Sequence, residues 1–313
     1  MLHLSIIIEV WRLAYMKGIV IAGGNGTRLY PLTKVINKHL LPIYDKPAIY
    51  YPLSVLMNAN INEIIIVIKE QEYDSFYSVL GNGEDFGIDI MYVYQNEALG
   101  IADALLRCED LVSGCFCVIL GDNFFYGSEI TRALREELDC YIDGMDTMFC
   151  VPSADSSVAT SVEFSENGNI INLHFKNDER KGSRESNVCP GIYIYDVKVF
   201  KYIKELNPSD RNEIEIIDLN RVYLLNERIK LRRLSSETVW LDLGSYNDRM
   251  LAENLVLQVQ GITGRMIACL EEIGLEKGWI KKTDVKQKIK SVNVRDCIYL
   301  EYLKRIVQEN DEI

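Results

Sequence analysis

From residue 16 onward the chain alternates short β-rich runs with stretches of helical spacing. Gly18-Ile19-Val20-Ile21-Ala22 is an apolar strand that runs into a glycine loop, and 47–59 reads as a helix opened by Pro47. The continuous apolar run 63–68 is the pattern of a strand buried on both faces. A helix over 73–80, a strand over 88–94 and a helix over 101–111 follow. The next buried strand, 115–120, ends in Gly121-Asp122-Asn123. This βαβαβ order predicts an α/β fold with a doubly wound, mostly parallel sheet.

The middle of the chain reads differently. Short strands at 147–151, 158–164, 170–175 and 191–195 are joined by turns such as Asn167-Gly168, and 176–187 is polar and loop-like. A helical stretch at 213–225 precedes strands at 230–234 and 239–243. Helical spacing of Met250, Leu251, Leu255 and Val256 marks 245–260, and the tail continues in the same character. No internal repeat or low-complexity linker separates these parts. The expected organisation is an extension at 1–15, a core at 16–244 carrying inserted strands over about 147–235, and a helical C-terminal appendage at 245–313.

The first 15 residues are interrupted by Glu9 and Arg12 and fall short of the roughly 20 apolar residues a bilayer span takes. They lack the basic opening and small-residue cleavage site of a secretory signal. Met16-Lys17-Gly18-Ile19 looks like a natural start, so 1–15 is expected to stand outside the chemistry; a surface helix or strand is the open alternative.

Composition narrows the partners. Of 313 residues, 48% are hydrophobic and 26% charged, which excludes disordered and fibrous classes. A net charge of −12 repels polyanions unless basic residues are gathered in one place, so neither nucleic acid nor membrane is an expected partner. Eight cysteines form no CxxC pair and have no histidine spaced to complete a zinc site. Reduced thiols in a cytoplasmic protein are the expectation.

The most informative segment is Ala22-Gly23-Gly24-Asn25-Gly26-Thr27-Arg28-Leu29. Glycines after a buried strand let backbone N–H groups converge on phosphate oxygens. A dinucleotide loop needs a third glycine where Arg28 stands, and a Walker loop needs a Gly-Lys-Ser/Thr ending that is absent. Arg28 instead offers a forked cation to a polyphosphate.

This loop is followed by Lys38-His39-Leu40-Leu41-Pro42-Ile43-Tyr44-Asp45-Lys46-Pro47, by Tyr50-Tyr51-Pro52-Leu53-Ser54, by Leu120-Gly121-Asp122-Asn123-Phe124-Phe125-Tyr126-Gly127 and by Trp240-Leu241-Asp242-Leu243-Gly244-Ser245. Over about residues 16 to 280, in order, the chain resembles the sugar-1-phosphate nucleotidylyltransferases, in particular the glucose-1-phosphate thymidylyltransferase branch. The resemblance implies a Rossmann-like nucleotidyltransferase fold with substrate-side strands inserted in the core. It also implies transfer of a nucleotidyl group from dTTP or UTP to a sugar 1-phosphate, with Mg²⁺ as cofactor and pyrophosphate as leaving group.

By that resemblance Arg28 and Lys38 hold the triphosphate, and Asp122 and Asp242 are the metal ligands, Asp122 being counted with the catalytic set. Gly23, Gly24, Gly26 and Thr27 form the phosphate loop, while Gln95 and Gly100 read the pyrimidine. Phe175, Lys176, Gly191 and Arg211 fall on the acceptor side. The segment near 245–280 resembles the family's oligomer-forming region, which implies a homotetramer or dimer.

The acceptor side departs from the family pattern. His174-Phe175-Lys176-Asn177 stands where the family has Glu-Glu-Lys-Pro, so the hydroxyl-binding carboxylate becomes Phe175. Ala159-Thr160 replaces Tyr-Gly, Cys189-Pro190-Gly191 replaces Val-Thr-Gly, and Gly100-Ile101-Ala102-Asp103 replaces Gly-Leu-Ala-Gln. The 176–191 loop is longer and carries Arg180, Lys181 and Arg184. Three readings follow: transfer to a sugar 1-phosphate; the same chemistry on another, even non-sugar, phosphate or phosphonate, with CTP as a further donor; or a catalytically silent nucleotide sensor. Phe175 either faces the acceptor or fills core beside a rebuilt site.

Overall fold

The computed structural model describes residues 16–141, 144–153, 159–167, 170–175 and 186–309. Fourteen strands are seen among them: β1 (Lys17–Ile21), β2 (Pro42–Ile43), β3 (Lys46–Pro47), β4 (Glu63–Ile68), β5 (Asp89–Tyr94), β6 (Cys115–Leu120), β7 (Asn123–Tyr126), β8 (Asp146–Ser153), β9 (Thr160–Phe164), β10 (Ile170–His174), β11 (Ser186–Cys189), β12 (Ile192–Asp196), β13 (Ile229–Arg233) and β14 (Val239–Asp242). Ten of them form one mixed sheet in the order β10-β9-β11-β8-β12-β6-β1-β4-β5, with β13 paired to β8. β1 lies between β4 and β6, and β6-β1-β4-β5 are all parallel. β12 joins this block antiparallel to β6 and links it to the short strands of the middle region.

The continuous apolar runs are explained by helices on both faces. Val20, Ile64, Ile66, Cys117 and Ile119 point to one side, where helices Tyr50–Asn58, Ser128–Asp139 and Leu270–Glu276 cover them. Ile19, Ile21, Ile65, Val67, Phe116 and Val118 point to the other, under Ile101–Leu106, Val199–Glu205 and Ile216–Leu225. Helix Tyr246–Thr263 sets Ala252 and Val256 against Ile43, Tyr51, Phe124 and Leu243, bracing the β2–β3 hairpin and the end of β14. No helix among the described residues is long and apolar enough to cross a membrane. None of the eight cysteines forms a disulfide.

Several local expectations need correction. Pro47 does not open a helix: it pairs with Pro42 across the β2–β3 hairpin, whose turn places Tyr44 at φ 59°, and the helix begins at Tyr50. Residues 213–215 are extended rather than helical, because Ile214 exchanges backbone bonds with Leu99 and Ala102 (2.7 and 3.3 Å). Part of the polar 176–187 stretch is strand, since Asn187 and Val188 pair with both β8 and β9. Helices Ser128–Asp139 and Val199–Glu205 are elements that the reading of the sequence does not name. The first buries Ile130, Ala133, Leu134 and Leu138 at helical spacing, a stripe diluted by six charged residues, of which Glu137 is itself buried.

One buried acid has a consequence for stability. Asp146, fully buried at the start of β8, is pushed up to about 7 by burial and by repulsion from Asp196, against the hydroxyl Tyr141 donates to it at 2.8 Å. The folded chain therefore keeps this proton to near pH 7, whereas an unfolded aspartate releases it near about 3.9. Between those values the folded state binds more protons, so this group makes stability fall as pH rises, by at most about 1.4 kcal/mol per pH unit. Denaturant unfolding from pH 4.5 to 8 should show that slope removed in Asp146→Asn; a variant that keeps the wild-type slope contradicts the assignment.

Candidate active site

The carboxyl ends of β1 and β6 open onto one cleft. The peptide after β1 is tied across to β4 by Ala22 N–H donating to Val67 O (2.8 Å), and β6 is tied to β1 by Gly121 N–H donating to Ile21 O (2.9 Å). The loop between them is anchored by fully buried Leu29. Gly26 adopts φ 60°, and Thr33 donates its hydroxyl to the Gly26 carbonyl at 3.0 Å. A Cβ at Gly24 would lie 3.2 Å from Lys38 Cε, so the lysine stem runs directly under the loop. Thr27 opens a single turn, Thr27–Leu29, with its side chain exposed.

Two cation–carboxylate pairs face each other here. Lys38 Nζ bonds Asp122 Oδ2, and Arg28 Nη2 donates to Asp242 Oδ2 at 2.9 Å. Burial alone would raise the Asp122 carboxyl, but the Lys38 ammonium outweighs it and holds the group well below the usual carboxylate range. The two acids meet because β14 pairs antiparallel with β7: Asp242 is opposite Asn123, and Leu243 N–H donates to the Asp122 carbonyl at 2.9 Å. A cleft of about 310 Å³ is lined by Gly24, Arg28, Lys38, Asp122 and Asp242 on one side. Phe175, Gly191 and Arg211 line its other side.

Gln95 and Gly100 are not among that lining. They form an adjoining group through Gly23, where an added Cβ would lie 3.5 Å from Gln95 Oε1. Gln95 is 6% exposed, and its Nε2 donates to Gly100 O (3.0 Å) and Asp103 Oδ2 (2.8 Å). Gly100, at φ 101°, approaches Ile214 so closely that a Cβ would lie 2.4 Å from its carbonyl oxygen.

On the acceptor side, Arg211 donates to Glu215 Oε1 at 2.7 Å and lies 3.3 Å from Glu213. Phe175 lines the cleft, and its ring also packs against the core on the Ile19 and Ile21 side of the sheet, with the Arg221 guanidinium 4.9 Å away. Gly191 leaves no room for a side chain beside Leu120, and its carbonyl accepts from Asn123 Nδ2 at 3.0 Å. Lys176, like Arg180, Lys181 and Arg184, lies outside the described residues.

Four supporting residues escape the sequence reading. Glu213 and Glu215 line the cleft; their alternation with Ile214 is a strand-like signal hidden by the helix that follows. Buried Arg249 donates to the carbonyls of Pro42 (2.7 Å), Leu243 (3.3 Å) and Lys38 (3.5 Å), bracing both halves of the site from beneath. Asn123 also accepts from Trp240 Nε1 at 2.8 Å, which locks β14 to β7. His39 is no acid–base candidate. It is buried and lowered to about 3 by burial and by Lys38, and its Nδ1–H donates to Asn37 Oδ1 at 2.6 Å.

Paired cations and carboxylates beside a glycine loop at the carboxyl edge of a doubly wound sheet define a nucleotide-handling α/β enzyme. The chain belongs to the nucleotidyl transferase family, whose model matches residues 17–259, and it is a nucleotidyltransferase. It is 39% identical over 293 residues to a glucose-1-phosphate thymidylyltransferase of Neisseria gonorrhoeae, covering 93% of this chain and 99% of that one. The enzyme of that name from Xanthomonas campestris pv. campestris is 41% identical over 265 residues, 84% of this chain and 88% of its own. Among solved structures, a Bacillus anthracis protein assigned as a glucose-1-phosphate thymidylyltransferase, in complex with a sucrose, matches with a TM-score of 0.69 and 37% identity, over 77% of this chain and 94% of that one. A UDP-glucose pyrophosphorylase at 24% identity and TM-score 0.64, over 78% of this chain and 99% of that one, shares the fold.

Proposed function

We propose that this chain transfers a nucleotidyl group from dTTP or UTP to a sugar 1-phosphate, releasing pyrophosphate. The observation that carries the reading is the double pairing of Arg28 with Asp242 and Lys38 with Asp122 in one cleft. A phosphate monoester has a second pKa of about 6, so the acceptor is already a dianion near pH 7 and needs no general base to attack the α-phosphorus. Buried His39, kept neutral and bonded through Nδ1 to Asn37, is in keeping with that. The barrier lies in gathering anions and in charge on the transferring group and the departing pyrophosphate, and fixed cations lower it. Arg28 and Lys38 supply those cations, and Arg211 grips the acceptor phosphate.

The donor set suits Mg²⁺. Asp122, in the turn before β7, and Asp242, at the end of β14, offer hard oxygen ligands, and among the described residues no cluster of three or more His, Cys, Asp or Glu side chains competes. A metal that keeps several waters and binds phosphate needs only one or two carboxylates. Bound there, Mg²⁺ would neutralise phosphate charge and polarise the phosphoryl oxygens. Arg28 and Lys38 hold the two acids in place and turn to phosphate when nucleotide enters.

The direct test incubates the protein with Mg²⁺, a panel of sugar 1-phosphates and dTTP, UTP or CTP in parallel, following pyrophosphate. Release with dTTP or UTP supports the reading. Silence across the panel despite nucleotide binding favours a sensing role and overturns it.

A changed acceptor is the second reading, favoured by the apolar lining Ala159, Phe175, Cys189, Ile216 and Ile217. An unpaired buried hydroxyl costs about 1–3 kcal/mol, so against a hexose Phe175 costs about 10–100-fold relative to a carboxylate. Phe175→Glu should therefore gain hexose 1-phosphate turnover of that order, or lose turnover of a less hydroxylated native acceptor. If both rates stay as they were, Phe175 does not read the acceptor.

Self-association through helix Tyr246–Thr263 belongs to the same reading, since Met250, Leu251, Leu257 and Ile262 are exposed along it. Buried cysteines outside any disulfide suit a reducing compartment, the cytoplasm.

A further inference from the structure

We infer that Asp103 is a positioning residue that sets the base preference of the site, by fixing which end of the Gln95 amide faces the nucleotide. The inference rests on Gln95 being the group that reads the base. Asp103 stands in the first turn of helix Ile101–Leu106 and is 6% exposed.

The geometry leaves Gln95 one orientation. Two groups face the same end of its side chain, the Gly100 carbonyl at 3.0 Å and the Asp103 carboxylate at 2.8 Å. Both only accept, so the end facing them must be the NH₂, and both of its N–H groups are used there. Oε1 is left on the side of Gly23, and among the described residues no donor is bonded to it. The glutamine, a residue that in general offers donor and acceptor alike, is reduced to an acceptor.

A lone acceptor discriminates among pyrimidines. Thymine and uracil present an N3–H flanked by two carbonyls, which an oxygen accepts. Cytosine presents a bare N3 lone pair at that position, which an oxygen repels. Leaving buried polar groups mismatched is the strongest source of such discrimination. Asp103 is itself held by Arg107, which donates to Oδ1 at 3.3 Å and to Oδ2 at 3.4 Å. The carboxylate thus serves the arginine and the glutamine at once, which one amide oxygen cannot do equally well. In Asp103→Asn the single oxygen goes to the charged guanidinium, and the new NH₂ turns toward Gln95. It donates to Oε1 if the glutamine flips, and the flipped glutamine then offers N–H to the base.

The test is the ratio of equilibrium dissociation constants for dCTP and dTTP, measured on the full chain with Mg²⁺ present. The wild-type protein should prefer dTTP, and Asp103→Asn should lower the ratio about tenfold. Asp103→Leu, which removes the acceptor without supplying a donor, should lower it as well and serves if the Asn variant folds poorly. A purely structural role for Asp103 weakens both nucleotides by the same factor; an unchanged ratio in the folded variant overturns the inference. Binding keeps this separate from the proposed reaction. A shifted ratio without pyrophosphate release from any acceptor sinks the catalytic reading alone, and normal turnover with an unshifted ratio sinks the role of Asp103 alone.

Discussion

Asp242→Asn is expected to lower pyrophosphate release by about 10²–10³-fold while leaving the fold intact. The asparagine keeps an oxygen for the Gly244 N–H, which donates to Asp242 Oδ1 at 2.9 Å, so the turn after β14 survives. What disappears is a negative charge beside Arg28. Without divalent ions, dTTP should then bind as tightly as to the wild type or more so, because one anion facing the triphosphate is gone. Activity falling while metal-free binding holds is the signature of a metal ligand. Asp122→Asn is the less clean experiment. It strands the Lys38 ammonium, whose side chain is only 14% exposed, and breaking a pair so buried costs about 3–5 kcal/mol. Near-wild-type turnover in Asp242→Asn would remove Asp242 from the chemistry.

Arg28→Lys is expected to cut kcat/KM for the nucleoside triphosphate by about 10²-fold, with the KM for the acceptor little changed. Lysine keeps the charge but loses the planar fork that grips two phosphate oxygens together. Half of the Arg28 side chain is exposed, so its pair with Asp242 contributes little to stability, and the melting curve should move by no more than about 0.5 kcal/mol of stability. Steady-state kinetics in both substrates, alongside a thermal melt, separates the roles. A variant within twofold of the wild type would place Arg28 off the phosphates.

Much of the core was legible because its signals are local. The apolar runs at 63–68 and 115–120 can be buried on both faces only in a sheet covered on both sides, and they are β4 and β6. The helix at 73–80 ends where its pattern ends, at Leu80 before Gly81. Other elements depend on partners far along the chain. The strand at Ser186–Cys189 reads as polar loop until β8 and β9 flank it, and the hairpin at Pro47 exists because Pro42 lies opposite. The helix expected from 213 starts three residues late, because Ile214 bonds to Leu99 and Ala102 instead of its own neighbours.

The site divides in the same way. The order of residues along the chain determined the glycine loop after β1, the acid at the end of β6 and the acid at the end of β14, each being one residue type at a strand terminus. Only the tertiary structure decided that Asp122 and Asp242 are neighbours, through an antiparallel pair joining segments more than a hundred residues apart. It alone also decided that Lys38 passes under Gly24, that Glu213 and Glu215 clasp Arg211, and that Asp103 turns Gln95 into an acceptor. The physical reason is range. Hydrophobic period and backbone preference act within a few residues and can be read in line, whereas charge pairing and hydrogen bonding across a cleft depend on distances that only the folded chain sets.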